Sequence, residues 1–300
     1  MAVALVAAAA VFLFVVSGAY ARFTDLLANG TNNFTADTLN SPTGLTATGG
    51  SSVSLGWTAT SDTYASGHRV FRGTANGGPY SQIAQVTPRT TTTYTDSPGA
   101  GSYYYVVRAY YQNWESANSG QASSGSTGLL NCGANAAVTT NSGDNNGFQT
   151  SPANACADDS VYAEDPSSGT GSSLSCSSTA RDRHLFYNYG MSIPSGSAIN
   201  GIEVRLDAWA DATSGSPAMC AELSWDGGAT WTAVKTTATL GTAQATFTLG
   251  AASDSWGRTW TAANDFTNAN FRLRITNIAS STARAFRLDW AAVRVTYTPP

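Results

Sequence analysis

Apolar and polar side chains alternate with a period of two through most of the chain beyond residue 40. The run from Val53 to Trp57 reads Val-Ser-Leu-Gly-Trp, and Ser102–Tyr110 is rich in tyrosine and valine. Such alternation indicates strands with one buried face. Turn residues separate the runs, as at Gly77–Pro79 and Pro98–Gly99. The pattern therefore predicts an all-β chain of short antiparallel strands.

A second group of alternating runs fills the C-terminal half of the chain. There arginine alternates with apolar residues, most clearly in Ile199–Ala208, Phe271–Ile275 and Ala292–Tyr297. One face of each strand would lie in a core and the other in solvent. We expect two antiparallel sheets packed face to face, a jelly-roll-like β-sandwich over residues 129–300.

Residues 120–128 separate the two groups and contain only Gly, Gln, Ala, Ser and Thr. This composition is typical of a flexible linker. It divides the chain into a first β domain at residues 41–119 and a second at 129–300. A chain of 300 residues is long enough for each domain to bury its own core.

The first domain resembles a fibronectin type III domain at particular positions. Pro42 and Leu45 match the first strand of that family, and Trp57 matches the core tryptophan of its second strand. Tyr103–Ala109 matches the sixth-strand pattern Y-x-[YV]-x-V-x-A, and Asn113–Ser116 matches the approach to the last strand. The resemblance implies a β-sandwich that serves spacing and protein contact, since catalysis is rare in such domains.

The first 21 residues carry no charged side chain. As a helix rising about 1.5 Å per residue, they would cross most of a bilayer core of about 30 Å. One interpretation is a cleavable signal peptide, cut after the small-residue site Ala19–Ala21, although a basic start is missing. The other is a retained helix like that of pilin-like subunits, held in the membrane before assembly and in a filament core afterwards.

An extended polar segment at residues 22–40 follows this apolar helix. Its Phe23–Asp25 and Phe34–Leu39 resemble the start of camelysin and TasA-type biofilm-matrix proteins, which carry F-[TN]-D and later F-x-A-G-T-L. Asp37 departs from the usual glycine. The resemblance implies export and a fibre-forming habit, in which a segment adds a strand to a neighbouring subunit. The alternative is an extended polar linker that only leads out of the membrane. The predicted assembly residues are Val11, Phe12, Leu13, Phe14, Val15, Val16, Phe23 and Phe34.

Charge and composition exclude several partners. Only 11% of the residues are charged, the formal net charge is -4, and Lys235 is the only lysine. No basic patch is present in the sequence, so we expect no nucleic-acid partner. A single lysine also leaves no room for lysine-based isopeptide cross-links as a general assembly device.

Four cysteines all lie in the second domain. In an oxidising compartment an even number predicts two disulfides, for which three pairings exist. Sequence order favours Cys132 with Cys156 and Cys176 with Cys220. A metal site is the alternative, but the sequence contains no C-x-x-C pair. These cysteines predict an extracellular location, either secreted or at the cell surface.

Few residues offer catalytic chemistry. His68 and His184 are the only histidines, and no G-x-S-x-G nucleophile motif occurs. Ser224–Trp231 fits the Asp-box pattern S-x-D-x-G-x-T-W, which we interpret as a hairpin because an enzyme propeller would carry several copies. We therefore predict that the protein is not an enzyme.

Two weaker predictions concern ligands of the second domain. Acidic residues between Cys156 and Cys176 could bind calcium through carboxylate oxygens, although they lack EF-hand spacing, and no other cofactor is expected. Tryptophans exposed in a row could stack on sugars, but packing in the core accounts for them better. The calcium candidates are Asp158, Asp159, Glu164 and Asp165, and the stacking candidates are Trp209, Trp256 and Trp260.

Together, these patterns predict an extracellular structural subunit of a surface filament, pilus or biofilm-matrix fibre. It would self-assemble into a homopolymer through its N-terminal segment and display two β domains. The alternative is a secreted or anchored carbohydrate-binding adhesin, whose partner is a glycan or a surface ligand on a host or neighbouring cell.

Overall fold

The computed structural model describes residues 38–50 and 52–300. The predicted apolar helix at 1–21 and nearly all of the extended segment at 22–40 lie outside these residues and stay predictions. The described part is almost entirely β, with a short 3-10 helix at Pro152–Ala155. No helix in this part of the chain is long and apolar enough to span a membrane.

The first domain is a sandwich of two sheets, as predicted. Its core contains Val53, Leu55 and Trp57, which are the apolar positions of the alternating run, packed against Val70 and Tyr105. The strands are β1 (Thr43–Gly49), β2 (Val53–Thr58), β3 (Gly67–Gly73), β4 (Ser81–Val86), β5 (Thr93–Asp96), β6 (Gly101–Tyr111), β7 (Trp114–Glu115) and β8 (Ala122–Ser126). One sheet has the order β1-β2-β5, and the other includes β4, β3, β6 and β8 as neighbours.

The second domain is a larger sandwich, again as predicted. The strands are β9 (Ala134–Ala137), β10 (Ala163–Asp165), β11 (Arg183–Tyr187), β12 (Ala198–Ala210), β13 (Ala218–Ser224), β14 (Lys235–Thr236), β15 (Ala245–Gly250), β16 (Arg272–Ile278) and β17 (Phe286–Thr298). A five-stranded sheet of order β14-β13-β16-β11-β9 faces β15-β12-β17, with β10 on the remaining edge of β17. Alternating residues of β12 and β17, such as Val204, Leu206 and Val293, fill the core between them.

The two domains share one sheet. Strand β8 pairs antiparallel with β6 on one side and with β17 on the other, where Ser126 lies opposite Thr296. The result is a nine-stranded sheet that passes through both sandwiches: seven strands follow the order β15-β12-β17-β8-β6-β3-β4, and β10 and β7 pair with β17 and β6 beside this path. The prediction of a flexible linker at 120–128 is therefore wrong, and the first sandwich continues beyond residue 119. Backbone pairing on both sides, which composition does not reveal, makes this segment a strand.

Close packing at the junction requires a glycine. A Cβ atom on Gly125 would lie only 2.4 Å from the ring of Tyr297, so only glycine lets the ring cover β8. Beyond β8, the Thr127 N–H donates to the Val295 carbonyl, and the Val295 N–H donates to the Thr127 Oγ1, each at 3.0 Å. Near the end of the chain, Tyr104 donates its hydroxyl to the Pro300 carbonyl at 3.4 Å. These contacts fix the orientation of the two domains.

Two disulfides join the loops of the second domain to its sheets. The pairs are Cys132–Cys156 and Cys176–Cys220, as sequence order suggested. The first holds the 3-10 helix beside β17, where the backbone of Cys156 also forms an isolated antiparallel β-bridge with Trp290. The second ties a loop to β13, and its Cys220 is fully buried.

Candidate functional site

The outer face of the nine-stranded sheet carries the polar side chains of the second domain. On β12 the outward positions are Glu203, Arg205, Asp207 and Trp209, which alternate with the core residues. This placement follows directly from the period of two in the sequence. Strand β12 therefore contributes three charged groups and one tryptophan to this face at regular spacing.

An aromatic pair lies at one end of this face. The rings of Tyr162 and Trp209 meet edge to face, with centroids 4.9 Å apart and an interplanar angle of 72°. Tyr162 is 37% exposed and its neighbour Val161 is 52% exposed. Because Trp209 is half-buried, it supports the pair from the sheet while Tyr162 faces solvent.

Charged side chains flank the aromatic pair. Arg287 lies opposite both Trp209 and Glu164 in the sheet register. Its guanidinium is 5.7 Å from the Tyr162 ring centre and 2.8 Å from a carboxylate oxygen of Glu164. The surface thus offers an exposed ring beside a guanidinium and a carboxylate, groups that can stack on a sugar and hydrogen-bond its hydroxyls.

Arginine pairing occupies the rest of the outer face. Arg205 lies over the Trp290 ring at 4.7 Å and forms two hydrogen bonds with Asp207, of 3.1 and 2.8 Å. Glu203 pairs with Arg294 at 2.6 Å. These carboxylates are partners of arginine on the strand faces.

Two of the three predicted stacking tryptophans are in the core. Trp256 is 2% exposed and donates its Nε1–H to the Ile202 carbonyl at 2.8 Å. Trp260 is 6% exposed and donates to the Ser255 carbonyl at 2.8 Å. The stacking prediction is wrong for both, because their rings fill the end of the sandwich core. Trp209 remains near the surface.

The four calcium candidates are spread over different surroundings. Asp158 lies 3.8 Å from Arg205, and Asp159 accepts the Val161 N–H at 3.0 Å. Glu164 pairs with Arg287 as described above. Asp165 is fully buried inside the domain. Among the described residues, no group of three or more histidine, cysteine, aspartate or glutamate side chains could hold a metal ion.

A buried polar network lies where β10, β11 and β16 come together. Asp165 accepts the Asn277 Nδ2–H at 2.8 Å, and Asp182 accepts the Asp144 N–H at 3.1 Å. Arg181 is 0% exposed and donates to the Asn277 carbonyl at 2.8 Å. No sequence pattern predicted this network, although three charged residues in the run Arg181–Arg183 at the start of a strand are unusual.

Burial changes the proton affinity of this network. Loss of hydration raises the pKa of Asp165 to about 7. The same effect, reinforced by the nearby Asp165 and Asp144 carboxylates, raises the pKa of Asp182 to about 8. Burial lowers the pKa of His184 to about 4. Its Nδ1 accepts the Phe148 N–H at 3.1 Å, so the neutral ring carries its proton on Nε2 and donates it to Asn135.

The Asp-box segment is a hairpin, as the sequence indicated. Asp226 accepts the Thr230 N–H at 2.9 Å and the Ser224 hydroxyl at 2.8 Å. Gly227 and Gly228 take φ angles of 77° and 103°, which suit glycine. The motif closes the turn after β13.

The predicted assembly residues lie outside the described residues. They are Val11, Phe12, Leu13, Phe14, Val15, Val16, Phe23 and Phe34.

Comparisons with known proteins found similar solved structures. No family model and no curated protein matches the chain. An Fn3-like protein from Clostridium thermocellum is 37% identical over 29% of this chain and 92% of its own, with a TM-score of 0.26. The fibronectin type III domain of human fibronectin type III domain containing protein 3 is 17% identical over 31% of this chain and 89% of its own, with a TM-score of 0.25.

A two-domain fibronectin type III segment of chicken tenascin is 9% identical over 80% of this chain and 92% of its own, with a TM-score of 0.27. The bacterial Fn3-like protein has the highest identity of these three. The first domain has the fibronectin type III-like fold that its sequence predicted, with β1-β2-β5 in one sheet and β4-β3-β6-β8 in the other.

Proposed function

We propose that the chain is an extracellular structural subunit of a surface filament, pilus or biofilm-matrix fibre. It assembles into a homopolymer through its N-terminal segment and displays its two β domains as one rigid unit. The observation that carries this proposal is the sheet that continues from β4 to β15 through both domains. A subunit whose domains cannot swing independently holds a defined shape in a repeating assembly.

Chemical features of the described domains support this proposal. Both disulfides fit an oxidising compartment outside the cytoplasm. The carboxylates Glu203, Asp207 and Glu222 pair with arginines on the strand faces. The uncharged start of the sequence supplies an apolar segment for assembly, either as a helix or, after cleavage, through the strand that follows.

The proposal is tested on native, cell-associated material. We expect polymers in electron micrographs, and the N-terminal sequence will show whether the polymer retains Met1 or begins at Arg22. Replacing both Phe12 and Phe14 with aspartate should abolish polymers if the helix is retained, because charge opposes burial of the segment. If the chain begins at Arg22, replacing Phe23 and Phe34 with aspartate is the corresponding test.

The control for these variants is Leu174→Asp, which places a charge on a side chain that is exposed in the second domain. This variant should polymerise normally. Native material that stays monomeric at high concentration with Met1 intact would contradict the proposal.

A second candidate function is glycan binding, favoured by the exposed pair of Tyr162 and Trp209. If a sugar stacks there, Tyr162→Ala should weaken binding to an arrayed glycan about tenfold, corresponding to about 1.4 kcal/mol. Trp114→Ala is the matched control, since Trp114 is exposed on the first domain. A glycan array without hits for the unmodified protein would remove this candidate.

A further inference from the structure

Among the described residues, the nine-stranded sheet ends in two edge strands, β15 and β4. An edge strand has one row of N–H and C=O groups without strand partners, so it can pair with another chain. Folded proteins usually protect such edges with charged residues, prolines or bulges. The two edges of this sheet differ in that protection.

Strand β4 is a protected edge. Pro79 and Pro88 stand just before and just after it. Its register with β3 shifts between Val70 and Phe71, which lie opposite Ala84 and Gln82. The extra residue on β4, Ile83, forms a bulge that twists the strand and interrupts regular pairing. Addition of another strand along β4 is therefore unfavourable.

Strand β15 lacks these protections. Its register with β12 is continuous from Ala245 opposite Ala208 to Gly250 opposite Glu203. It contains no charged residue and no proline. The outward residues Thr246 and Thr248 are exposed, while Phe247 points towards the core at the edge of the sandwich. A regular, uncharged strand of this kind is suited to β-augmentation.

The neighbouring edge of the facing sheet does not repel a partner either. Strand β14 ends that sheet, and the side chain of Val234 just before it is 42% exposed. The ammonium of Lys235 is bound to Asp254 at 2.7 Å, so its charge is already paired. Both layers of the sandwich thus present neutral or apolar groups at this end.

We propose that β15 is the strand through which two copies of this chain pair, antiparallel and about a twofold axis. Opposite residues in an antiparallel pair point to the same face of the sheet. Phe247 then lies opposite Phe247 of the second copy, and Thr246 lies opposite its Thr248. Aromatic and threonine cross-strand pairs both stabilise sheets, and a twofold contact uses the same surface twice.

This pairing joins the nine-stranded sheets of two copies edge to edge. The outer faces of both copies point the same way, and the exposed pairs Tyr162–Trp209 stay accessible. The contact lies in the second domain and does not involve the N-terminal segment. It therefore goes beyond the proposed filament function and can hold whether or not polymers form.

Cysteine cross-linking in the full chain tests the register. Opposite Cβ atoms in a sheet are about 4.5 to 5.5 Å apart, whereas diagonal neighbours are about 7 to 8 Å apart. A mixture of Thr246→Cys chains with Thr248→Cys chains should form a disulfide-linked dimer on mild oxidation. Either variant alone should give at least tenfold less dimer. In the proposed register Phe247→Cys faces the same residue of the second copy and should also cross-link. The proposal is overturned if neither the mixture nor Phe247→Cys gives dimers.

Head-to-tail pairing of β15 with β4 is the competing arrangement. A mixture of Thr248→Cys and Gln85→Cys chains reports it, and efficient cross-linking there would also overturn the twofold assignment. Thr248→Lys, introduced into the Thr246→Cys and Phe247→Cys chains, gives a second and independent test. The added charge should abolish the dimers of the Phe247→Cys chain. Gln85→Lys, the matched change on the protected edge, should leave those dimers unchanged.

Polymer formation separates this proposal from the filament function. Thr248→Lys should leave polymers built through the N-terminal segment intact while abolishing the β15 cross-link. Conversely, efficient cross-linking of chains that form no polymers would leave the twofold pairing standing and contradict the filament function.

Discussion

Replacing Arg181 with leucine should lower the free energy of unfolding of the protein by about 3 to 5 kcal/mol, the usual cost of breaking a buried charged network. The guanidinium is fully buried and all its described contacts are hydrogen bonds to fixed oxygens. Leucine would leave those oxygens without this donor and would remove the positive charge near the Asp165 carboxylate. The acceptors are the carbonyl oxygens of Asn277, Gly171 and Ser281 and the hydroxyl of Ser168.

Urea unfolding followed by tryptophan fluorescence measures this loss. The stability of Arg181→Lys should fall between those of the unmodified protein and Arg181→Leu, because an ammonium keeps the charge but not the planar fork of donors. The control is Arg287→Leu, which breaks a half-exposed pair with Glu164 and should cost about 1 kcal/mol or less. Equal losses for Arg181→Leu and Arg287→Leu would show that the buried network does not hold the domain.

Acidification from pH 8 to 6.5 should stabilise the protein. Asp182 has a folded-state pKa of about 8, far above that of an exposed aspartate, so the folded chain takes up a proton in this range and the unfolded chain does not. Asp165, with a pKa of about 7, adds to the effect. Since uptake of a full proton contributes about 1.4 kcal/mol per pH unit and Asp182 is already half protonated at pH 8, Asp182 alone should contribute about 1.6 kcal/mol.

Below pH 6.5 the effect of His184 opposes this gain. Its folded-state pKa of about 4 means that the unfolded chain binds the proton first, so stability is lost as the pH falls towards 4. The melting temperature between pH 8 and 6.5 is therefore the informative measurement. Asp182→Asn should flatten the rise.

The control for the pH series is Asp226→Asn. Hydrogen bonds from Thr230 lower the pKa of Asp226 to about 2, so this carboxylate does not titrate between pH 8 and 6.5. The variant should keep the slope of the unmodified protein. A melting temperature that falls on acidification in this range would contradict the assignment of raised pKa values to the buried aspartates.

Most strands could be predicted because their periodicity is local. The alternating runs Val53–Trp57 and Ile199–Ala208 lie inside β2 and β12. The two disulfides also followed from sequence order, since each joins neighbouring cysteines along the chain. Strands predicted from side-chain periodicity, and disulfides predicted from an oxidising compartment, require no knowledge of contacts between distant parts of the chain.

Strand β8 could not be predicted, because its stability comes from its neighbours. A run of small residues has little strand propensity of its own. It forms a strand here because β6 and β17, distant in sequence, pair with its two edges. The glycine that suggested flexibility, Gly125, is instead needed for close contact with Tyr297.

The candidate site was only partly accessible to sequence reasoning. Trp209, Trp256 and Trp260 look alike in sequence, and only the fold shows that two of them fill the end of the core. Tyr162 was not singled out, because its ring meets Trp209 from a different strand region. The network around Arg181 was missed for the same reason, since its partners lie far along the chain.

The position of β17 also sets the order in which the protein can fold. This strand lies between β12 on one edge and β10 and β8 on the other, yet it is the last strand described along the chain. During synthesis the earlier strands emerge first and stay without their central partner, β17, until it is made. Pairings of such long sequence separation are slow to close. Completion of the shared sheet therefore follows synthesis of all the other described strands, because it requires the segment Phe286–Thr298.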